Sequence, residues 1–216
     1  MRAFLNPRLW LLGLLALGGA ALLYVILSAA LSGRPDRSVT GNAAPVFHDI
    51  RLATGAMEKF VFAASERRAP TEAFDHKGAA ITLGDFRGRT VLVNFWATWC
   101  APCLKELPSL DALQAEVGAE EFSVVAIAAD PKGPAAAAAF LEKLNVRSLE
   151  LYTDPTLALV IATGGSPQLP LSILYDARGR EIGRLSGEAD WSSDEAKALV
   201  RAAIEATRQV AGGGAR

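Results

Sequence analysis

Cysteine, histidine and methionine are nearly missing: the 216-residue chain holds two of each. Two cysteines cannot build the multi-bridge scaffold of a small secreted domain. A structural zinc site needs about four Cys or His ligands. His48 and His76 lie far from the cysteine pair, and both read as surface side chains. An excess of one charge is missing too: 22 basic and 23 acidic residues leave a net charge of -1. No basic surface is available for a polyanion, so nucleic acid is not an expected partner. No internal repeat is visible. The length suits one ordinary domain of ~150 residues plus an appendage.

What is present begins with an apolar run. Leu9 to Leu31 is 23 residues without a charge. At about 1.5 Å per residue, a helix of that length crosses a hydrocarbon core of about 30 Å. A cleavable signal would carry a shorter apolar stretch, although Ser28-Ala29-Ala30 is a pattern a signal peptidase can read. An uncleaved anchor over 9–31 is the expectation. Arg2 and Arg8 precede the run without an acid, so 1–8 is expected to stay in the cytoplasm and the rest to be exported. The expected location is the inner (cytoplasmic) membrane, single-pass, with the domain in the periplasm. Disulfides form and persist there.

Residues 32–69 read as a linker, with a short helix suggested by Ile50, Met57, Phe60 and Val61. A regular pattern follows over 70–211, with 212–216 as a tail. Phe74 and Ala80 to Leu83 around Asp75-His76-Lys77-Gly78 predict a β-hairpin. Thr90 to Trp96 and Ser123 to Ala129 predict buried strands. Helices are predicted over 103–117 and 134–144. Leu149 to Tyr152 predicts a short strand and Pro155 to Thr163 a short helix. Leu171 to Tyr175 and Glu181 to Ser186 predict an antiparallel pair. A last helix is predicted from Ser192, through the capping box Ser192-Ser193-Asp194-Glu195. The fold class is α/β: a mixed central sheet flanked by helices, with an N-terminal β-hairpin.

The two cysteines sit together in Trp99-Cys100-Ala101-Pro102-Cys103, between a buried strand and a helix. A helix N-terminus points unpaired N–H groups and partial positive charge at the first sulfur, which favours the thiolate. Two intervening residues place Cys103 one turn behind Cys100. Cys100 is then the exposed nucleophile and Cys103 the thiol that resolves a mixed disulfide. Pro102 in the first turn loses no hydrogen bond. The alternatives are a structural bridge or a metal site. A bridge closing so short a loop stabilises little.

The segment Asp85 to Cys103, with Val91-Leu92-Val93-Asn94-Phe95-Trp96-Ala97-Thr98-Trp99-Cys100-Ala101-Pro102-Cys103 at its end, resembles the active-site signature of TlpA-type thioredoxin-like proteins. Lys105-Glu106-Leu107-Pro108, Pro170 and Ala189-Asp190-Trp191 extend the resemblance, which covers about residues 70–208. It implies a thioredoxin fold, a cis-proline at Pro170 facing the dithiol, and membrane anchoring. It also implies a mainly reducing role toward extracytoplasmic proteins of cytochrome or copper-centre assembly, with electrons from a membrane thiol transporter. No cofactor or metal enters this reading.

Asn94 stands where thioredoxin itself has a buried aspartate, and an asparagine cannot take a proton. Glu106, three residues after Cys103, shares its helix face and is the candidate base. The ordinary alternative is a solvated glutamate paired with a lysine. Trp99, Ala101, Pro102, Leu169 and Pro170 are candidate substrate contacts, and Trp96 reads as core. Two other functions compete. A copper metallochaperone usually has wider cysteine spacing plus a histidine or a methionine cluster, and only Met1 and Met57 are present. A peroxidase needs a threonine and proline upstream of one cysteine, and Thr98 stands at the wrong offset.

Overall fold

A computed structural model describes residues 47–164 and 168–212. The expected membrane anchor over 9–31 lies outside the described residues. Among the described residues, no helix is long and apolar enough to cross a membrane.

Eight strands form one sheet: β1 (Val61–Phe62), β2 (Phe74–His76), β3 (Ala79–Ile81), β4 (Thr90–Trp96), β5 (Phe122–Ala128), β6 (Leu151–Thr153), β7 (Leu171–Tyr175) and β8 (Glu181–Ser186). Four helices accompany them: α1 (Ala101–Val117), α2 (Pro134–Lys143), α3 (Ala158–Ala162) and α4 (Asp194–Gly212). The strand order is β1-β8-β7-β4-β5-β6-β2-β3. β4 pairs parallel with β5, and β5 with β6, whereas β7 and β8 run antiparallel to their neighbours. The predicted mixed sheet is therefore observed, and β4 lies at its centre, buried along its whole length. Alternate residues serve two cores. Leu92 and Trp96 face the side that contains α1 residues Leu107 and Leu110 and α4 residue Leu199. Val91, Val93 and Phe95 face the side that contains Leu159 and Val160 of α3. Full burial on both faces explains why β4 reads as a continuous apolar run rather than an alternating one.

The predicted hairpin is β2 and β3, turned by Lys77 and Gly78, both at positive φ. It adds to the far edge through Asp75 opposite Thr153. Two expectations need correction. The described part of the expected linker, 47–69, belongs to the packed body. Met57, Phe60 and Phe62 are buried, and β1 pairs with β8, Phe62 opposite Gly183. The suggested helix there is replaced by two 3₁₀ turns, Ile50–Leu52 and Gly55–Met57. Gly55, at φ +54°, turns the chain out of any continuous helix. Of the residues that suggested it, Ile50 and Val61 are 68% and 64% exposed. Gly183 makes the crossing possible: a Cβ there would meet a Phe60 ring carbon at 2.5 Å and the Val61 carbonyl oxygen at 2.6 Å.

The last helix also starts later than predicted. The Ala196 amide donates to Ser193 Oγ at 3.2 Å, so Ser193 is the capping side chain. Ser192 Oγ donates instead to Asp190 Oδ1 at 2.6 Å. The capping serine is thus displaced by one residue, the expected box with Glu195 does not form, and Glu195 lies over Gly55.

Candidate active site

The chain leaves β4 at Trp96 and enters α1 at Ala101, and the four residues between them are pinned. Asp130, at the end of β5, is 2% exposed. Its Oδ2 accepts from the Thr98 amide at 2.9 Å and from the Thr98 hydroxyl, while Oδ1 accepts from the Lys132 amide at 2.9 Å. Burial pushes the Asp130 carboxyl up. The Thr98 and Lys132 hydrogen bonds outweigh that and hold it below the ordinary carboxylate value. A fixed anion under Thr98 thereby sets where Trp99 and Cys100 emerge.

Cys100 is the N-cap of α1, and its Sγ accepts the Cys103 amide at 3.3 Å. Cys100 and Cys103 are joined, with S–S 1.99 Å and Cα–Cα 5.3 Å. Cys103 is completely buried, and Cys100 is 5% exposed. The expected difference in access has the right sign, but Cys100 is far less open than predicted. What stands open is Trp99, 60% exposed, beside it. Trp96 is fully buried in the core, as expected. Ala101 is exposed and Pro102 half-buried in the first turn.

Pro170 follows a cis Leu169–Pro170 bond. β7 opposes Leu171 to Phe95 of β4, so Pro170 lies at the end of the sheet from which the cysteine segment departs. Leu169 is half-buried and packs against the cluster that contains both cysteines.

Glu106 is 2% exposed, so it is not a solvated helix glutamate. The neighbouring Lys105 pairs with Glu188 at 3.7 Å instead. Glu106 Oε1 accepts from Asn94 Nδ2 at 2.6 Å, and Oε2 from the Ala189 amide at 3.3 Å. The Trp191 indole N–H leans toward the same carboxylate but makes no hydrogen bond within normal geometry. Burial pushes the Glu106 carboxyl up to about 7; the Asn94 and Ala189 hydrogen bonds oppose the shift and the nearby Glu188 charge adds to it. The loop before α4 is fastened to α1 twice, by Ala189 on Glu106 and by the Trp191 amide on Ser109 Oγ at 3.1 Å. A groove of about 480 Å³ borders this carboxyl, lined by Ala56, Lys59, Lys105, Ser109 and Ala189 among others. Another cavity, of about 320 Å³, opens beside Thr90 and Arg178. Thr90 begins β4, so that cavity lies at the opposite end from the disulfide and takes no part in its chemistry.

Of the residues named from the sequence, the structure joins the two cysteines, buries Glu106 on their helix and places Pro170 at the same end of the sheet. Sequence reasoning missed Asp130, which meets Thr98 across 32 residues of sequence and carries no local signal. It missed Ser172 as well, although a polar residue inside the apolar run Leu171–Tyr175 is a visible anomaly. The histidines are placed away from the disulfide, His48 against Phe62 and His76 against Glu150 and Tyr152.

A central strand that feeds a disulfide at a helix N-terminus, with a cis-proline at the same end of a mixed sheet, defines a thioredoxin-like α/β protein. The model of the Redoxin family matches residues 40–198, and the chain belongs to that family. It is similar to the thiol-disulfide oxidoreductase ResA of Bacillus thuringiensis subsp. konkukian, 33% identical over 117 residues, which is 53% of this chain and 64% of that one. It is also similar to the thioredoxin-like protein YneN of Bacillus subtilis, 48% identical over 50 residues, 23% of this chain and 29% of that one. The chain thus spans about 64% of the length of the ResA relatives. Among solved structures, one described as a thiol:disulfide interchange protein DsbE from Chlorobium tepidum is 27% identical. Its TM-score is 0.56, with 66% of this chain and 96% of that one covered. A secreted thiol-disulfide isomerase from Corynebacterium glutamicum, 23% identical with a TM-score of 0.57 over 75% of this chain and 96% of that one, shares the fold.

Proposed function

We propose that this chain is a membrane-anchored, extracytoplasmic thiol:disulfide oxidoreductase of the TlpA type, which reduces disulfides of specific partner proteins. The observation that carries the reading is the Cys100–Cys103 disulfide at the N-terminus of α1, with buried Glu106 one turn further on. The names of the ResA relatives support the reaction class. The apolar run 9–31 supports the anchor, its basic N-terminal flank supports export of the domain, and the resemblance to TlpA-type proteins supports the inner membrane with the domain in the periplasm. The resemblance of the motif to TlpA-type proteins supports partners in cytochrome or copper-centre assembly and a membrane thiol transporter as electron donor.

The chemistry runs from the reduced protein. The Cys100 thiolate, favoured by the Cys103 amide and the helix N-terminus, attacks one sulfur of a partner disulfide. A mixed disulfide forms and the partner's other sulfur leaves as a thiolate. Cys103 gives its proton to the Glu106 carboxylate and attacks the Cys100 sulfur. The internal disulfide closes, the second partner thiolate leaves, and two electrons have passed to the partner. Glu106 and water return protons to the released thiolates. Trp99, Ala101, Pro102, Leu169 and Pro170 surround the sulfurs as the docking surface in this scheme.

Equilibration of the Cys100–Cys103 couple against glutathione tests the direction. A reductase has a potential nearer the thioredoxin value of about -270 mV, and a value near about -120 mV contradicts reduction as its task.

A further inference from the structure

Asn94 stands directly opposite Ser172 across β4 and β7. Its Nδ2 spends both hydrogens, one on Glu106 Oε1 at 2.6 Å and one on Ser172 Oγ at 3.0 Å. The orientation of the amide follows from chemistry, because turning it over would set Oδ1 against a carboxylate oxygen. Asn94 Oδ1 is buried without a hydrogen-bond partner. An unpaired buried carbonyl is unfavourable, so what the side chain does here is done by its donors.

Both oxygens of Glu106 therefore face N–H groups, Asn94 on one and Ala189 on the other. A proton placed on either oxygen would point at a donor. Geometry favours the carboxylate while burial favours the acid and outweighs it, which leaves the two forms about equally populated near pH 7. The charged groups around Glu106 are Glu188 and Lys105, which pair with each other, and Glu58, Lys59 and Asp190 along the groove. The disulfide contributes no charge. An aspartate at 94 would put a second carboxyl within hydrogen-bond reach of the first, and the two would share a proton. An asparagine avoids that.

We infer that Asn94, steadied by Ser172, is a positioning residue that aims a donor at Glu106 Oε1 and opposes its protonation one turn behind Cys103, so that proton exchange in the resolving step is confined to Glu106. The inference rests on the proposed reading of Glu106 as the proton acceptor. It also explains how a donor without a titrating proton can serve in this place.

The test uses the full oxidised chain, with the Glu106 side-chain carboxyl followed by carbon-13 NMR against pH. Asn94→Ala moves the midpoint up by about one unit, and Asn94→Asp replaces the single step by two coupled ones. With glutathione pre-bound on Cys100, the release of glutathione by Cys103 at pH 7 slows by about fivefold in Asn94→Ala, as the carboxylate fraction falls with the raised midpoint, and the loss is recovered at higher pH. A midpoint unchanged in Asn94→Ala overturns the inference and leaves the oxidoreductase reading standing. A midpoint that moves while release at pH 7 does not change removes Glu106 as the acceptor, and the inference with it. Where Asn94→Ala does not fold, the wild type decides. The Asn94 side-chain amide signals shift with the Glu106 midpoint if the contact is made, and constant signals overturn it.

Discussion

Glu106 on α1 and Asn94 on β4, twelve residues apart, meet through a buried 2.6 Å hydrogen bond beneath the helix that starts at the disulfide. The contact joins the strand that carries the chain to the cysteines with the helix that leaves them. Its consequences are open to measurement, as are those of the supports around it.

Glu106 should make the oxidised protein less stable as the pH rises. Its folded value, about 7, lies above the ordinary 4.5, so the protonated form is the one folding favours. The stabilisation is complete below about 4.5, is lost as the pH climbs toward 7 and stays lost above it. The loss is roughly 3 kcal/mol. Glu106→Gln has no proton to lose there. Urea unfolding at pH 4 and pH 8 should show a larger fall for the wild type than for the variant, and equal falls contradict the burial argument.

Asp130→Ala should loosen the segment that presents Cys100. It strips the Thr98 amide and hydroxyl of their acceptor in a buried place. A destabilisation of about 2–3 kcal/mol is expected. Hydrogen exchange at Thr98 and Trp99 should rise more than at β7, whereas a uniform rise across the domain means that Asp130 serves only the global fold.

Trp99→Ala should separate docking from folding. The side chain is 60% exposed, so thermal stability should change by no more than about 0.5 kcal/mol. Reduction of a protein disulfide should slow by about tenfold while reduction of a small disulfide changes little. An equal loss for both substrates assigns Trp99 to the chemistry at Cys100 rather than to partner contact.

Gly183→Val should release the segment 47–69, a strap held across β8. The added side chain enters the space of the Phe60 ring and the Val61 carbonyl. Overpacking of this kind costs about 1–3 kcal/mol. Limited proteolysis should cut between 50 and 65 in the variant and not in the wild type, and resistance in both would show that the strap is held without close approach at Gly183.

The fold was legible where hydrophobic pattern and chain neighbours agree. β4, β7 and β8 fall on their predicted residues, because each is a short apolar or alternating run between turn residues. The strap over 47–69 was not legible. Its buried residues, Met57, Phe60 and Phe62, follow neither a helical nor a strand period. Phe60 and Phe62 are buried at β8, with Phe62 opposite Gly183 across 121 residues, and the turn that carries Met57 packs against α4; no local pattern records either contact. The late start of α4 has a similar cause: Asp190 competes for Ser192 and leaves capping to Ser193. In the site, Cys100, Cys103 and Glu106 were visible because they lie within one stretch of helix. Asp130, Ser172 and Ala189 reach it only through the tertiary structure. Their roles are carried by hydrogen bonds to the backbone or to a neighbouring amide, so residue type alone says little.

The central claim is that Cys100 attacks and Cys103 resolves, with Cys103 buried behind the sulfur that meets the partner. Replacing each cysteine by serine and exposing the reduced variants to periplasmic proteins bearing disulfides tests it directly. Cys103→Ser should accumulate mixed disulfides, and peptide mapping should place every captured partner on Cys100. Cys100→Ser should capture nothing. Capture by Cys100→Ser, or by neither variant, contradicts the account.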